Sequence, residues 1–347
     1  MKWGKVYAIM QDSAGVYWIS TKGQGLIKAI ETSQGNFKLQ HFKHKADDPY
    51  SLSNDNIYFT FQDSRQRLWV ATYGGGLNLI ETMPDGTLRF INHRNLLKRY
   101  PISHFYKVRH ITEDNQGRIW VSTTAGILQF KVSFHCPEEI DFHSICREQG
   151  NVNSLSNNDV IYTFESKKGE IYIITHSSGL NLVTSKNLLC DNIEFVHLNK
   201  QNGLPSDMAY TMIEGNRNEL WISFEDQICR YNPDRGSIES YNRFYFHSHL
   251  LVSEIPLVRD DKNGMYVALN RDVLYLHLDK LNKSSFIPHI VFTNASTGKN
   301  NKMGDSSPIV DQTLTLEKNE RNVSITFAAL DFAASGNLQY AYRLKNI

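Results

Sequence analysis

Ile9-Met10-Gln11-Asp12-Ser13-Ala14-Gly15-Val16-Tyr17-Trp18-Ile19-Ser20-Thr21, followed by Gly23-Gln24-Gly25-Leu26, is a phrase that the chain repeats. A second copy carries Asp63, Trp69 and Thr72, then Gly74-Gly75-Gly76-Leu77. A third has Asp114, Gly117, Trp120 and Thr123, then Gly126-Ile127, and a fourth has Gly169, Tyr172 and Thr175, then Gly179-Leu180. Two more keep the aromatic, Trp221 and Tyr266, and lose the threonine and the later glycine. Successive aromatics lie 51, 51, 52, 49 and 45 residues apart. A fixed period of that size marks a repeat architecture.

Each copy reads as about four antiparallel strands. An apolar strand runs up to the Asp, and Asp-x-x-Gly makes a tight turn: Asp caps its own backbone and Gly accepts positive φ. The strand after it, Leu68-Trp69-Val70-Ala71-Thr72 in copy two, is β-branched and aromatic. A Gly-rich turn reverses it into an alternating strand such as Leu77 to Ile80. A fourth strand is expected at 37–39, 88–91, 140–142 and 193–196, and within copy six it is missing. A lone sheet of this kind leaves two faces bare, and stacking copies around an axis covers both, which is a β-propeller. The anchors Trp18, Trp69, Trp120, Tyr172, Trp221 and Tyr266 then pack between blades. A row of stacking platforms for sugars or bases is the other reading, but the slot is fixed to the strand rather than to a loop, which favours packing. One Trp buries about 150–250 Å², or roughly 4–6 kcal/mol of gross burial at ~25 cal/mol per Å².

The chain's 347 residues suit one propeller plus a small module. A net charge of +1 leaves no broad footprint for nucleic acid. No stretch approaches 18 apolar residues, so no membrane span is expected. Met1-Lys2-Trp3-Gly4-Lys5 is not a secretory signal. The first repeat starts almost at once, so the chain reads as a piece of something longer. Cys136, Cys146, Cys190 and Cys229 form no Cys-x-x-Cys pair, which argues against zinc. Cys136 and Cys146 share an insertion and could be bridged in an oxidising compartment; separate thiols are the default.

Polar linkers recur before the first strands: 51–56 and 154–159, with shorter versions at 204–207 and 251–254. Their leucines are expected to plug gaps between blades, and their Ser, Asn and Asp groups to bond turn backbone. The propeller is assigned to 1–284. Residues 285–347 read as part of a β-sandwich, with strands around 284–292, 314–316, 323–332 and 340–344 and a polar loop at 296–313. An incomplete sandwich should expose sheet edges.

The phrase Asp-x-x-Gly-x-x-Trp-x-x-Thr with Gly-Leu, together with the Leu-Ser-Asn linkers, resembles the two-component regulator propeller repeat. The tail Ile325-Thr326-Phe327-Ala328-Ala329-Leu330-Asp331-Phe332, with Tyr340-Ala341-Tyr342-Arg343-Leu344, resembles the Tyr-Tyr-Tyr domain that follows such propellers. Together they resemble the periplasmic sensor half of a Bacteroidetes hybrid two-component regulator. The resemblance implies two seven-bladed propellers, the small sandwich, a membrane helix and a histidine kinase in the parent protein. It also implies a homodimer and an oligosaccharide as the ligand. Six repeats fall short of seven blades, and ring closure is left open.

No catalytic motif stands out: there is no Gly-x-Ser-x-Gly, His-Glu-x-x-His, P-loop or EF-hand loop. Gly74-Gly75-Gly76 reads as a strand turn, His41/His44 and His247/His249 as surface histidines without a third ligand, and Asp260-Asp261 as turn residues. Neither a cofactor nor a metal is implied. Two loop sets should meet at the mouth of the ring. The linkers bring Asp55, His104, Asp159, Asp207 and Glu254, and the turns after the anchor strands bring Tyr73, Thr124, His176, Glu225, Asp226 and Arg271. Of these, Tyr73, His176 and Arg271, then Asp55, Asp207 and Glu225, are the candidate ligand-binding residues, because planar, bidentate and short polar groups suit sugar hydroxyls. Taken singly, each also reads as a solvated loop residue. Two rival functions are a propeller enzyme of lyase or lactonase type and a scaffold that only dimerises.

Overall fold

The computed structural model describes residues 4–185, 188, 193–246, 248–281, 289–299, 302, 303, 307, 308, 322–329 and 340. The chain divides into two compact units: Met1–Tyr241 with Leu250–Lys280, and Asn242–His249 with Leu281–Ile347.

The first unit is a six-bladed propeller arrangement with almost no helix. Blade 1 comprises Val6–Gln11, Tyr17–Thr21, Gly25–Ser33 and Asn36–Phe42. Blade 2 comprises Ile57–Gln62, Leu68–Thr72, Gly76–Thr82 and Leu88–Ile91. Blade 3 comprises Val108–Glu113, Arg118–Thr123, Gly126–Lys131 and His143–Ile145. Blade 4 comprises Val160–Glu165, Ile171–Thr175, Gly179–Val183 and Phe195–Leu198. Blade 5 comprises Ala209–Glu214, Leu220–Phe224, Ile228–Asn232 and Ser237–Tyr241. Blade 6 has three described strands, Val258–Arg259, Gly264–Ala268 and Val273–His277. Within each blade, sequence neighbours pair antiparallel.

Trp18, Trp69, Trp120, Tyr172 and Trp221 are buried to 2% exposure or less. Four of them pack forward onto the next blade. Trp18 clusters with Val70, Ile80 and Phe90, Trp69 with Ile119, Val121 and Phe130, Trp120 with Val160 and Ile173, and Tyr172 with Met212 and Ile222. Tyr266 departs from the expected packing slot. It is 43% exposed and lies against Tyr275 of its own blade at 4.8 Å. Val258 and Val273 on the same face are exposed as well, as are Ile9, Phe37 and Leu39 on the far face of blade 1. An anchor is buried only where a neighbouring sheet lies over it.

The repeated aspartate serves twice. In blade 3, Asp114 Oδ1 accepts the N–H groups of Gln116 and Arg118 (2.9 and 3.0 Å), closing the turn. Its other oxygen accepts the indole N–H of Trp120 at 2.8 Å. Asp12 and Asp63 hold Trp18 and Trp69 in the same way, at 2.8 and 2.9 Å. In blade 5 Glu219 takes over for Trp221 (3.2 Å), and in blade 4 Glu170 accepts from the Tyr172 hydroxyl (3.1 Å). The third residue before each anchor is left-handed in all six turns: Gly15, Gly117 and Gly169, but also Gln66, Asn218 and Asn263. Asn tolerates that conformation better than most residues, which suits the turns at Asn218 and Asn263, while Gln66 adopts it without that advantage.

A second stitch joins adjacent blades. The residue after the turn Asp, or its counterpart, donates its N–H to the side chain that ends the next blade's first strand. The pairs are Ser13 to Gln62 (2.8 Å), Ser64 to Glu113 (2.6 Å), Asn115 to Glu165 (2.9 Å) and Lys167 to Glu214 (2.6 Å).

Several expectations are corrected. The fourth strand of blade 3 is His143–Ile145, because Pro137–Glu139 forms a 3-10 turn and Ile140 turns into the core. In blade 4 it is Phe195–Leu198 rather than 193–196. Leu52, Leu155 and Leu204 are buried as expected, but in the last linker Leu251 is 55% exposed and Val252 is buried instead. Cys136 and Cys146 are free thiols, in line with the default reading, and Cys146 Sγ donates to the Ala125 carbonyl at 3.3 Å. Cys190 lies outside the described residues.

In the second unit, Ile290–Lys299 pairs antiparallel with Asn322–Ala329, and short segments Lys302–Met303 and Ser307–Pro308 also pair with it. Residues 296–299 therefore belong to a strand, not a loop: Ser296 and Thr297 lie opposite Ser324 and Val323, which satisfy their backbone. Ile290, Phe292, Ile325 and Phe327 are exposed. The strands expected at 314–316 and 340–344 fall outside the described residues, Tyr340 excepted.

Candidate functional site at the ring axis

The first strands of the blades gather around one axis. Tyr7, Tyr58, Phe59, Arg109, His110, Ile161, Tyr162, Thr211, Glu254 and Pro256 line a cavity of about 30 Å³ there. Tyr7, Tyr58, Arg109, Ile161 and Tyr210 each stand eleven residues before their blade's anchor aromatic. That register places one side chain from each of blades 1 to 4 in the cavity wall.

Aromatic rings from blades 1 and 2 form a ladder. Tyr7 stacks on Tyr58 (4.3 Å between centroids) and Tyr58 on Tyr73 (4.9 Å). Cations close both ends. Lys5 lies 5.6 Å from the Tyr7 ring, and Lys107 and Arg109 lie 5.2 and 5.6 Å from Tyr73. Both faces of Tyr73 are thus engaged, so it offers a ligand its edge and hydroxyl rather than a platform. Burial, then the Tyr7 hydroxyl, raises the pKa of Tyr58 well above the usual tyrosine value.

Arg109 sits at the hinge of the cluster. Its Nη2 donates to Asp159 Oδ2 at 3.2 Å, and its Nη1 lies 4.0 Å from Glu254. Arg109 Nε and His110 Nδ1 are buried atoms without a hydrogen-bond partner, while Asp159 Oδ1 lies 3.1 Å from Arg109 Nη2. His110 is 6% exposed and sandwiched between Phe59 (4.4 Å) and Tyr162 (4.0 Å). Burial pushes its pKa down to about 3, so the imidazole is neutral. Buried polar atoms that no protein group pairs are uncommon in folded proteins, and each calls for a bound water, a guest or a function. On the other side of the axis Tyr210 has its pKa raised by burial, then by Glu225, Glu254 and Asp226 around it.

The candidate residues divide. Tyr73 joins the axial cluster, and Glu225 reaches the Tyr210 environment. Asp55 and Asp207 serve the backbone. Their carboxylates accept the N–H groups of His44 (2.7 Å) and Lys200 (2.8 Å), and their carbonyls accept those of Gly25 and Gly179 in the preceding blades. His176 is exposed, with its Nδ1 beside Ser177 Oγ at 3.0 Å, and Arg271 is exposed on its turn. His41 and His44 bond the carbonyls of Gln24 and Leu52 rather than acting as a pair. Among the described residues, no three His, Cys, Asp or Glu side chains are grouped to hold a metal ion. Sequence reasoning missed Tyr7, Tyr58, Arg109, His110 and Tyr210. For Tyr7, Tyr58, Arg109 and Tyr210 the constant offset from the anchors was the available signal, and His110 is the next residue after Arg109.

Residues 51–74 and 105–125 match the family model for the two-component regulator propeller. In those two segments the chain is similar to two-component regulator propeller repeats. The chain is 22% identical over 307 residues to histidine kinase P4 of Formosa agariphila, covering 83% of this chain and 21% of that protein. The propeller also resembles the extracellular domain of a B. thetaiotaomicron system, described in one crystal structure as one-component and in another as hybrid two-component. The TM-scores are 0.59 and 0.54 at 16% and 17% identity, covering 87% and 94% of this chain and 43% and 48% of those chains. A catalytically inactive virginiamycin B lyase from Staphylococcus aureus shares the fold too, with TM-score 0.55, 14% identity, and 79% and 80% coverage. The chain spans about a fifth of the curated relative's length and less than half of the B. thetaiotaomicron chains. Among the described residues no helix is long and apolar enough to cross a membrane.

Proposed function

We propose that this chain is part of the periplasmic ligand-sensing region of a hybrid two-component sensor. It takes an oligosaccharide at the axial mouth and passes the event, through the unit that includes residues 281–347, to a kinase elsewhere in a homodimeric parent protein. The observation that supports this reading is the axial cluster. Blades 1 to 4 each place one register side chain in the wall of a common cavity, where Arg109 Nε and His110 Nδ1 are buried without protein partners. A hydroxyl of a guest seated at the mouth can reach into the cavity of about 30 Å³ and pair with those atoms, and leaving buried polar groups unpaired is costly, so such a contact discriminates between ligands. Binding drives signalling only if the ligand favours one arrangement of the protein over another. The enzyme reading draws on fold likeness to lyases alone, and fold does not carry function.

Calorimetric titration of this chain with a broad oligosaccharide panel, alongside Arg109→Ala, tests the reading. Binding lost in the variant is the expected result. Silence across the panel counts against saccharide sensing at this mouth.

A further inference from the structure

The charges at the mouth are sorted by blade. The residues concerned lie beside the start of a first strand or on the turn after a second strand, which the topology brings to one end of the ring. Blades 1–3 present Lys5, Lys22, Lys107 and Arg109 against Asp55. Blades 4–6 present Asp159, Asp207, Glu225, Asp226, Glu254 and Asp272 against Arg271. The Arg109–Glu254 contact at 4.0 Å lies on the boundary. Glu254 also belongs to the acidic group that surrounds Tyr210 with Glu225 and Asp226. Beneath this boundary lies the axial cavity, with the unpartnered Nδ1 of the buried His110 in its wall.

We propose that the axial mouth takes a dipolar ligand carrying a carboxylate and an ammonium group. The carboxylate lies toward Lys107 and Arg109, and the ammonium toward Glu225, Asp226 and Glu254. This rests on the sensing reading above and narrows its ligand class. A cleft walled by opposite charges attracts a molecule whose charges are arranged the opposite way, and a neutral sugar gains nothing from that field. Two sources share this chemistry: a saccharide joining a free amino sugar to a uronate, and a short peptide.

The test is titration calorimetry on this chain with four probes. They are cellobiose, glucuronyl-N-acetylglucosamine, the same disaccharide with its amine freed, and the dipeptide Ala-Ala. The expected result is that one of the two dipolar probes binds about tenfold tighter than cellobiose and the N-acetylated disaccharide, and that this preference weakens several-fold between ~20 and ~300 mM salt. It should collapse in Lys107→Gln and in the double variant Glu225→Gln/Asp226→Asn. Glu225 and Asp226 are exposed, and unchanged thermal unfolding confirms that the double variant folds. Preference for the freed amine assigns a saccharide source, and preference for Ala-Ala a peptide. Equal or tighter binding of cellobiose overturns the dipolar assignment and leaves saccharide sensing standing. Silence from all four probes overturns it too, while the broad panel judges the sensing reading separately.

Discussion

Replacing Asp114 by Ala should cost far more than replacing Asp12, although the two occupy the same place in their repeats. The Asp114 side chain is 1% exposed and its ion-pair partner Arg118 6% exposed, with Arg118 Nε at 2.6 Å. Removing the carboxylate strands a buried guanidinium, the Trp120 indole N–H and two turn N–H groups. Breaking a buried pair from one side costs about 3–5 kcal/mol. Asp12 holds Trp18 and the N–H groups of Ala14 and Val16, but no arginine pairs with it and water reaches the turn. Its loss should cost about 1–2 kcal/mol. Urea unfolding followed by far-UV circular dichroism measures both. Adding Arg118→Met to Asp114→Ala should recover part of the loss, because the stranded charge goes with it. Losses equal within about 0.5 kcal/mol would refute the claim that the buried ion pair sets the difference.

Trp69→Ala should destabilise by about 3–5 kcal/mol, whereas Tyr266→Ala, at a 43% exposed position, should cost under about 1 kcal/mol; the same unfolding assay compares them. Stability should fall with acid because of His110. Its folded pKa of about 3 lies below the unfolded value of 6.5, so its contribution is full above about pH 6.5 and lost as pH falls toward 3. The loss at pH 5 is about 2 kcal/mol, and His110→Phe should flatten that limb of the stability curve. Gly76→Ala should destabilise by at least about 1–2 kcal/mol, since Gly76 has φ +71° and an added Cβ would lie 2.5 Å from Tyr100; a lowered melting temperature reads this out.

The architecture was legible because one residue type recurs at one spacing. A tryptophan every fifty-odd residues between a turn aspartate and a threonine fixes sheet order and facing together. What the pattern could not convey was tertiary context. Tyr266 matches the aromatic slot by spacing, yet nothing in the sequence says whether a sheet lies over it. Ile140 and Phe142 alternate like a strand, but the proline at 137 and the pull of Ile140 into the core delay pairing until His143. The aspartate's capping role was readable from the turn, while its bond to the indole depends on how the strand curls back over it. Loop residues drew attention as ligand groups, and two of them, Asp55 and Asp207, proved to be joints between blades. The axial residues lie inside strands, where side chains are ordinarily read as core.

That central register makes the mouth modular. Tyr7, Tyr58, Arg109 and Tyr210 hold equivalent posts, yet differ in size, charge and polarity, while the wedges between blades are built mainly from other positions on the same strands; at the fourth post Ile161 belongs to the wedge as well. Selectivity can therefore be retuned one substitution at a time, each blade acting as a separate key, without loosening the frame that carries the keys. A library randomised only at these posts is a compact route to propellers with altered specificity.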